Sequence, residues 1–250
     1  GDHLMRTILI DGDIVLYKVT TACETSIDWG DDLWTLHSDL REARQRFDCW
    51  VSDMSANLKA DKVIIAISGA ENWRKEVLPT YKSNRKAVRK PLAFSALKQY
   101  CRDVYKTFEI NDLEADDVLG LLAGSPGLGR IKGEKIVVTI DKDLQTIPGL
   151  HYNPGHPDKG IMEVNEEEAN YNHLLQTLTG DSVDGYKGCP GVGPVKAQRV
   201  LEAPCWESVV GAYEVAGLTE DDALIQARVA RILRWGEYNM SRKKVRLWKP

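Results

Sequence analysis

Several things are scarce in this chain of 250 residues. Its five cysteines (Cys23, Cys49, Cys101, Cys189, Cys205) are odd in number and contain no CxxC pair. That argues against a disulfide framework or a zinc knuckle and suits reduced thiols in a cytosol. Its five histidines show no HExxH or comparable ligand spacing, which argues against a zinc hydrolase. No apolar stretch approaches the roughly 18 residues needed to cross a bilayer, so no membrane role is expected. No basic-then-apolar leader is present, and Gly1-Asp-His-Leu-Met5 reads as a cloning remnant before a start at Met5. No Ser/His/Asp or Cys/His arrangement for covalent catalysis stands out, nor an internal repeat or low-complexity linker. Positive charge is not in excess either: the formal net charge is −4, which by itself argues against a nucleic-acid partner.

What is present is acid in short clusters. Asp11-Gly-Asp13 closes one apolar run and Asp141-Lys-Asp143 another, Glu114-Ala-Asp116-Asp117 lies between them, and Asp181-Ser-Val-Asp184 follows. Glu114 and Asp117, like Asp181 and Asp184, stand at i and i+3, neighbours if those segments are helical. Each cluster alone has a plain reading, as a solvated strand end or as acids complementing a helix dipole. Carboxylates that converge in a fold repel one another, however, unless divalent cations lie between them, and hard oxygen ligands suit Mg²⁺ or Mn²⁺.

Charge of the other sign is concentrated in one place. Residues 74–90 carry Arg74, Lys75, Lys82, Arg85, Lys86, Arg89 and Lys90 against the single acid Glu76. A solvated helix face is the plain reading. Trp73 and Tyr81 interleave with these bases, and the combination of charge and stacking surface suits a strip that grips phosphates.

The apolar runs 7–10, 63–67 and 135–140 are continuous rather than alternating, as expected of parallel strands covered on both faces. Helices are expected over 41–58, over 91–105 with Pro91 in the first turn, and over 114–123 with an N-cap at Asn111 or Asp112. This alternation predicts an α/β domain with a mainly parallel sheet flanked by helices. Asp11, Ser68 and Asp141 would then lie at the carboxyl ends of strands, where such sheets bind ligands. Beyond residue 178 the character changes. A helix over 166–178, the turn Gly188-Cys-Pro-Gly-Val-Gly-Pro194 and a short helix over 195–201 make a hairpin that offers backbone N–H groups to a ligand. Helices over 206–216 and 220–238 and a strand over 244–248 complete the expectation.

The chemistry these residues support is hydrolysis of a phosphodiester. Two dications roughly 4 Å apart would activate water and stabilise the leaving oxygen, with no covalent intermediate. Lys82 or Arg85 would stabilise charge on the non-bridging oxygens. A rival comes from another class: Ile10-Asp11-Gly-Asp13-Ile-Val fits the nucleophile motif of haloacid-dehalogenase-type phosphatases, with Ser68 as a second motif. That reading leaves the basic strip, the acidic helix start and the Gly-rich hairpin unused. A third possibility is a DNA-binding module of the same fold without efficient catalysis.

The segments ILIDGD, WRKEVLPTYKSNRK (73–86), LEADDVLG, VVTIDKDLQTI and LTGDSVDGYKGCPGVGPVKAQRVL resemble the 5′-nuclease superfamily of flap endonucleases and polymerase I 5′-nuclease domains. NWRKEVLPTYKSNRKAVRKP and ARILRWGEYN are most similar to the phage-encoded 5′→3′ exonucleases of podoviruses, and the likeness runs from about Ile8 to Lys249. It implies a PIN-like catalytic domain over 6–178 and a helix–three-turn–helix module with C-terminal helices over 179–250. It implies a 5′→3′ exonuclease and 5′-flap endonuclease that acts on duplex DNA and RNA primers with two Mg²⁺ or Mn²⁺ ions. The site would be a monomer's, in the cytoplasm of a bacterial host. By motif, Asp11, Glu114, Asp116 and Asp117 fall in the first metal site, with Asp141 and Asp143 bridging to a second completed by Asp181 and Asp184. Lys82 matches the catalytic lysine, Arg85 a phosphate contact, and Tyr81 an aromatic near the scissile nucleotide. Arg74, Lys75 and Lys86 belong to the DNA-binding strip. Gly191 and Gly193 match a turn that holds K⁺ and grips the duplex, followed by the phosphate contacts Lys196 and Arg199. Two departures stand out. The family commonly has an Asp just after the second strand, where this chain has Ser68-Gly69 with Glu71 nearby. Asp13 replaces what is often a small polar residue.

Overall fold

The computed structural model describes residues 3–85 and 88–250; Lys86, expected in the DNA-binding strip, lies outside them. The aliphatic run around Ile8 forms the central strand β1 (Arg6–Asp11), which pairs in parallel with β4 (Lys62–Ser68) on one side and β6 (Glu134–Val138) on the other. β5 (Thr107–Ile110), β7 (Gly149–Tyr152) and the antiparallel β8 (Ile161–Val164) complete a six-stranded sheet of order β5-β4-β1-β6-β7-β8. Ile8 and Ile10 enter the core on one face, and Leu9 enters a separate core on the other. Burial on both faces is why these strands read as continuous apolar runs.

Helices cover each face. α1 (Gly12–Ala22) starts directly from β1. A Cβ at Gly12 would lie 2.6 Å from the Ala66 carbonyl, so only glycine permits so tight a passage past β4. α2 (Leu40–Leu58) begins where Asp39 accepts from Arg41 N–H at 2.9 Å, and it buries Ala43, Phe47, Val51, Met54 and Leu58 at helical spacing. β2 (Glu24–Asp28) and β3 (Trp34–Ser38) form an antiparallel hairpin between these two helices. After β4 come the short α3 (Arg74–Val77) and then α4 (Phe94–Val104), whose expected start at Pro91 is instead a turn in which Pro91 O accepts from Phe94 N–H at 3.0 Å.

On the opposite face lies α5 (Ala115–Gly124), capped by Glu114 rather than by Asn111 or Asp112. Glu114 and Asp117 form a reciprocal capping box that satisfies the first amides of the helix. A third core joins α6 (Glu166–Thr179), α7 (Pro194–Val200), α8 (Trp206–Val215) and α9 (Glu220–Ala230) through Leu174, Leu178, Ala197, Val209, Tyr213 and Ala223.

The helix expected over 220–238 stops at Ala230. Ile232 and Leu233 run extended into the second core, and Leu233 N–H donates to Asp117 Oδ1 at 3.2 Å. A Cβ at Gly120 would lie 2.0 Å from Leu233 O, so α5 needs glycine there for this return strand to fit. The strand expected over 244–248 is reduced to β10 (Lys244–Val245) paired with β9 (Tyr238–Asn239). No helix among the described residues is long and apolar enough to cross a membrane.

Candidate metal centre

Three strand ends meet at one cavity of 810 Å³, whose wall includes Asp11, Asp13, Glu114, Asp116, Asp141 and Asp184. Asp11 is the last residue of β1, 3% exposed, and accepts from the Thr139 hydroxyl at 3.0 Å. Thr139 Oγ1 also accepts from Asp141 N–H at 3.0 Å, so one buried hydroxyl sets two carboxylates side by side. Asp141 caps the 3₁₀ turn over Lys142–Thr146 by accepting from Asp143 N–H at 2.9 Å. Asp143 is held by the side-chain amide of Gln176 on α6.

Asp181 and Asp184 are not on a helix. They lie in a turn closed by backbone pairing of Asp181 with Tyr186, in which Asp181 Oδ1 accepts from Val183 N–H at 2.9 Å and Asp184 N–H at 3.1 Å. This turn brings Asp143, Asp181 and Asp184 together so that one oxygen from each lies within 4.8 Å of the others.

The segment 81–85 docks on that turn. Lys82 N–H donates to Asp184 O at 2.7 Å, Asn84 Nδ2 to Ser182 O at 2.6 Å and Arg85 Nε to Val183 O at 3.1 Å. Lys82 takes a left-handed φ of 58° to do so. Its Nζ thereby reaches Glu114 Oε2 at 3.0 Å and stands 3.8 Å from Asp184. Arg85 Nη2 lies 2.8 Å from Asp184 Oδ1.

The electrostatics divide these acids. Burial pushes Asp11 up to about 7, aided by the neighbouring Asp13 and Asp141 charges. Burial, with Asp141, Asp181 and Asp184 beside it, likewise pushes Asp143 up to about 7. Burial raises Asp116 well above the ordinary carboxylate range, with Asp11, Asp141 and Glu114 adding to the effect. Asp141 and Asp184 are raised as well, burial leading in both. Glu114 goes the other way: burial opposes its charge, but Arg74 and Lys82 outweigh that and hold it at about 2.

Several expected roles are corrected. Asp117, expected in the first metal site, is fully buried and turned away from the cavity. Arg74 Nη2 donates to its Oδ1 at 2.8 Å, and Arg74 Nη1 and Trp73 Nε1 donate to its Oδ2 at 2.8 and 3.1 Å. Arg74, expected to face DNA, is 3% exposed and also donates to Val229 O and Arg231 O, both at 2.8 Å. Trp73 and Tyr81 are buried rather than stacking surfaces, and Tyr81 donates its hydroxyl to Glu114 at 3.0 Å. Lys75 and Arg85 are exposed, as are Gly191, Gly193, Lys196 and Arg199 on and after the Gly-rich turn.

Sequence reasoning missed Thr139, Asn72 and Gln176. Asn72 donates to Glu114 as Gln176 does to Asp143. Thr139 had a local signal in its place two residues before Asp141. The two amides, 42 and 33 residues from their partners, had none.

A six-stranded, mainly parallel sheet whose carboxyl ends gather acids, with a basic segment latched across them, is the architecture of a phosphate-directed nuclease. The family described as 5′-3′ exonuclease, N-terminal resolvase-like domain, matches residues 6–168, and the chain belongs to it. The chain is 29% identical to the exonuclease of Escherichia phage T7 over 97% of its own length and 93% of that protein's. It is 30% identical to the exodeoxyribonuclease of Enterobacteria phage T3, over 97% and 92% of the two lengths. Among solved structures, the T5 D15 protein co-crystallised with metal ions superposes with a TM-score of 0.68 at 13% identity, covering 90% of this chain and 89% of that one. This last likeness is one of fold. Membership of the family sets the phosphatase reading aside.

Proposed function

We propose that the chain is a metal-dependent 5′→3′ exonuclease and 5′-flap endonuclease, acting on duplex DNA and on RNA primers in hybrids with two Mg²⁺ or Mn²⁺ ions in the acidic cavity. The observation that carries the reading is the convergence of Asp143, Asp181 and Asp184 oxygens within 4.8 Å, beside the buried Asp11 and the half-buried Asp116 and Asp141. An all-oxygen donor set of crowded carboxylates fits a hard dication. Asp11, Asp116 and Asp141 would hold one ion and Asp143, Asp181 and Asp184 the other, with Glu114 contributing through the residues it orients. When bound, the ions supply an activated water and charge stabilisation at phosphorus.

The protein's own groups do the rest. Lys82 Nζ, fixed by Glu114 at 3.0 Å, is placed to stabilise charge on a non-bridging oxygen. Exposed Arg85 and Lys75 would steer the backbone of the strand toward it. Lys196 and Arg199, with the Gly191 and Gly193 turn and a K⁺ ion there, would hold the duplex at a distance from the cavity. In this assignment 6–178, joined by Asp181 and Asp184, carry the chemistry, and the rest of 179–250 the duplex grip. Among fold neighbours, a T5 D15 flap endonuclease has been seen as a pseudo-enzyme-product complex with DNA and metal ions, at a TM-score of 0.62.

The test is a time course on 5′-labelled duplex in Mg²⁺ and in EDTA. Release of short labelled products only in Mg²⁺ is expected. Binding without release in either buffer would reduce the chain to a DNA-binding module.

A further inference from the structure

Asp13 is one acid of the cavity that the reading above leaves without a task. It is in the first turn of α1, two residues beyond Asp11, and lines the same cavity wall. Its Oδ1 accepts from Ser68 N–H at 3.1 Å and its Oδ2 accepts from the Ser68 hydroxyl. A serine hydroxyl has one proton, and here it is spent on Asp13, leaving the oxygen's lone pairs for another donor. That donor is Ala115 N–H, at 2.8 Å. Ala115 opens α5, and its amide is one of those a helix start leaves without an internal partner.

Three element ends, β4, α1 and α5, are thus tied through one carboxylate. The tie is rigid on the β4 side. Gly69 N–H donates to Leu113 O at 2.9 Å, and a Cβ at Gly69 would lie 2.2 Å from Ile110 O. Lys98 Nζ donates to Ser68 O at 3.0 Å from α4. A carboxylate has about four acceptor positions, and Ser68 occupies two. The others open onto the cavity that Asp11, Asp116 and Asp141 share.

We propose that Asp13 is a positioning residue of the metal centre, holding the amino end of α5 through Ser68 while presenting its free lone pairs to the hydrated dication beside Asp11 and Asp116. The proposal rests on the metal-centre reading. A further negative charge next to Asp11 works against the empty site and is offset only when a cation arrives. An asparagine Oδ1 would still accept from Ser68 N–H, though more weakly, so Asp13→Asn separates that contact from the charge.

Mn²⁺ titration calorimetry on the whole chain without DNA tests this, paired with thermal melts in EDTA. Asp13→Asn is expected to weaken the tighter Mn²⁺ binding about 10- to 100-fold, with a metal-free melt at or above the parent's. Asp13→Asn combined with Ser68→Asp, which returns a carboxylate to the same wall, is expected to recover most of that affinity. Parental Mn²⁺ affinity in Asp13→Asn overturns the role of Asp13 alone. So does a lowered metal-free melt with affinity that the double variant fails to restore. A parent chain that takes up no Mn²⁺ overturns the metal-centre reading itself, and the role of Asp13 with it.

Discussion

Glu114, Asp116 and Asp117 fall within four consecutive positions at one helix start and meet opposite fates. Asp117 faces inward, where the Arg74 guanidinium donates to both its oxygens at 2.8 Å, and Glu114 is shared by Arg74, Lys82, Tyr81 and Asn72. Asp116, between them, faces Asp11 and Asp141 instead. One side of this helix turn is neutralised by the protein, and the other is left acidic. The neutralised side ties α3, α5 and the residues after α9 into one frame. Among the described residues the acidic side has no cation comparable to Arg74, and its charge is available to ions from solution. Adjacent acids of similar sequence character thus serve the fold and the chemistry separately, sorted by whether a buried arginine reaches them.

The largest effect should come from the acidic side. Asp141→Ala is expected to lower turnover on the order of 10³-fold, because the lost ligand removes charge stabilisation worth several kcal/mol at phosphorus. DNA binding measured by anisotropy in Ca²⁺ should stay within a few-fold of the parent. Undiminished hydrolysis by this variant would break the division at its chemical end.

The neutralised side should show its loss in stability. Arg74→Ala leaves Asp117 buried without its partner, and removing one member of such a pair costs about 3–5 kcal/mol. Urea unfolding checks this, with the midpoint falling at unchanged slope. Asp116→Asn is the counterpart: it should lose activity while leaving the metal-free chain as stable as the parent, or more so. If the two variants behaved alike in urea, the sorting of these acids would be mistaken. Lys82 lies on the boundary. Lys82→Ala is expected to slow hydrolysis by about 10²-fold, the size of one lost charge-stabilising donor. Its stability should change little, since Arg74 still holds Glu114. A parental rate would remove Lys82 from the chemistry.

The sheet was readable because β1, β4 and β6 are buried on both faces and their apolar runs carry no competing helical period. The shorter strands β5, β7 and β8 were not, since runs such as Thr107–Ile110 have too few residues to show a period. The acids were visible as clusters, but which of them face the cavity was not. Arg74 and Arg85 look alike in a basic strip, and only the return of Val229–Leu233 buries the first and leaves the second in solvent. That return was hidden because Ile232 and Leu233 continue the apolar character of the helix before them. Their extended form is imposed by Asp117 and Gly120, more than 110 residues away.

A pH series reads both sides at once. Asp11 and Asp143 keep their protons to about pH 7 in the folded chain, and burial raises Asp116 as well, whereas unfolded aspartates release them near 3.8. Between about pH 4 and 7 the native state therefore binds more protons than the unfolded state, and the stability of the metal-free protein falls as pH rises through that window. Glu114 has the opposite sign. Held at about 2 against an ordinary 4.5, it contributes stability that is present above pH 4.5 and lost as pH falls toward 2. These carboxylates favour the metal-free chain most near pH 4–5, whereas buried His173, pushed down to about 3 by burial and Arg231, contributes stability that is lost as pH falls below about 6.5. Dications need the ionised carboxylates, so their binding should tighten up to about pH 7 and flatten the decline. Thermal melts at pH 5, 6, 7 and 8 in EDTA and in Mn²⁺ measure both arms. A metal-free midpoint that climbs from pH 5 to 7 would mean that the cavity acids ionise freely, and that the protein has left no uncompensated charge for a cation to meet.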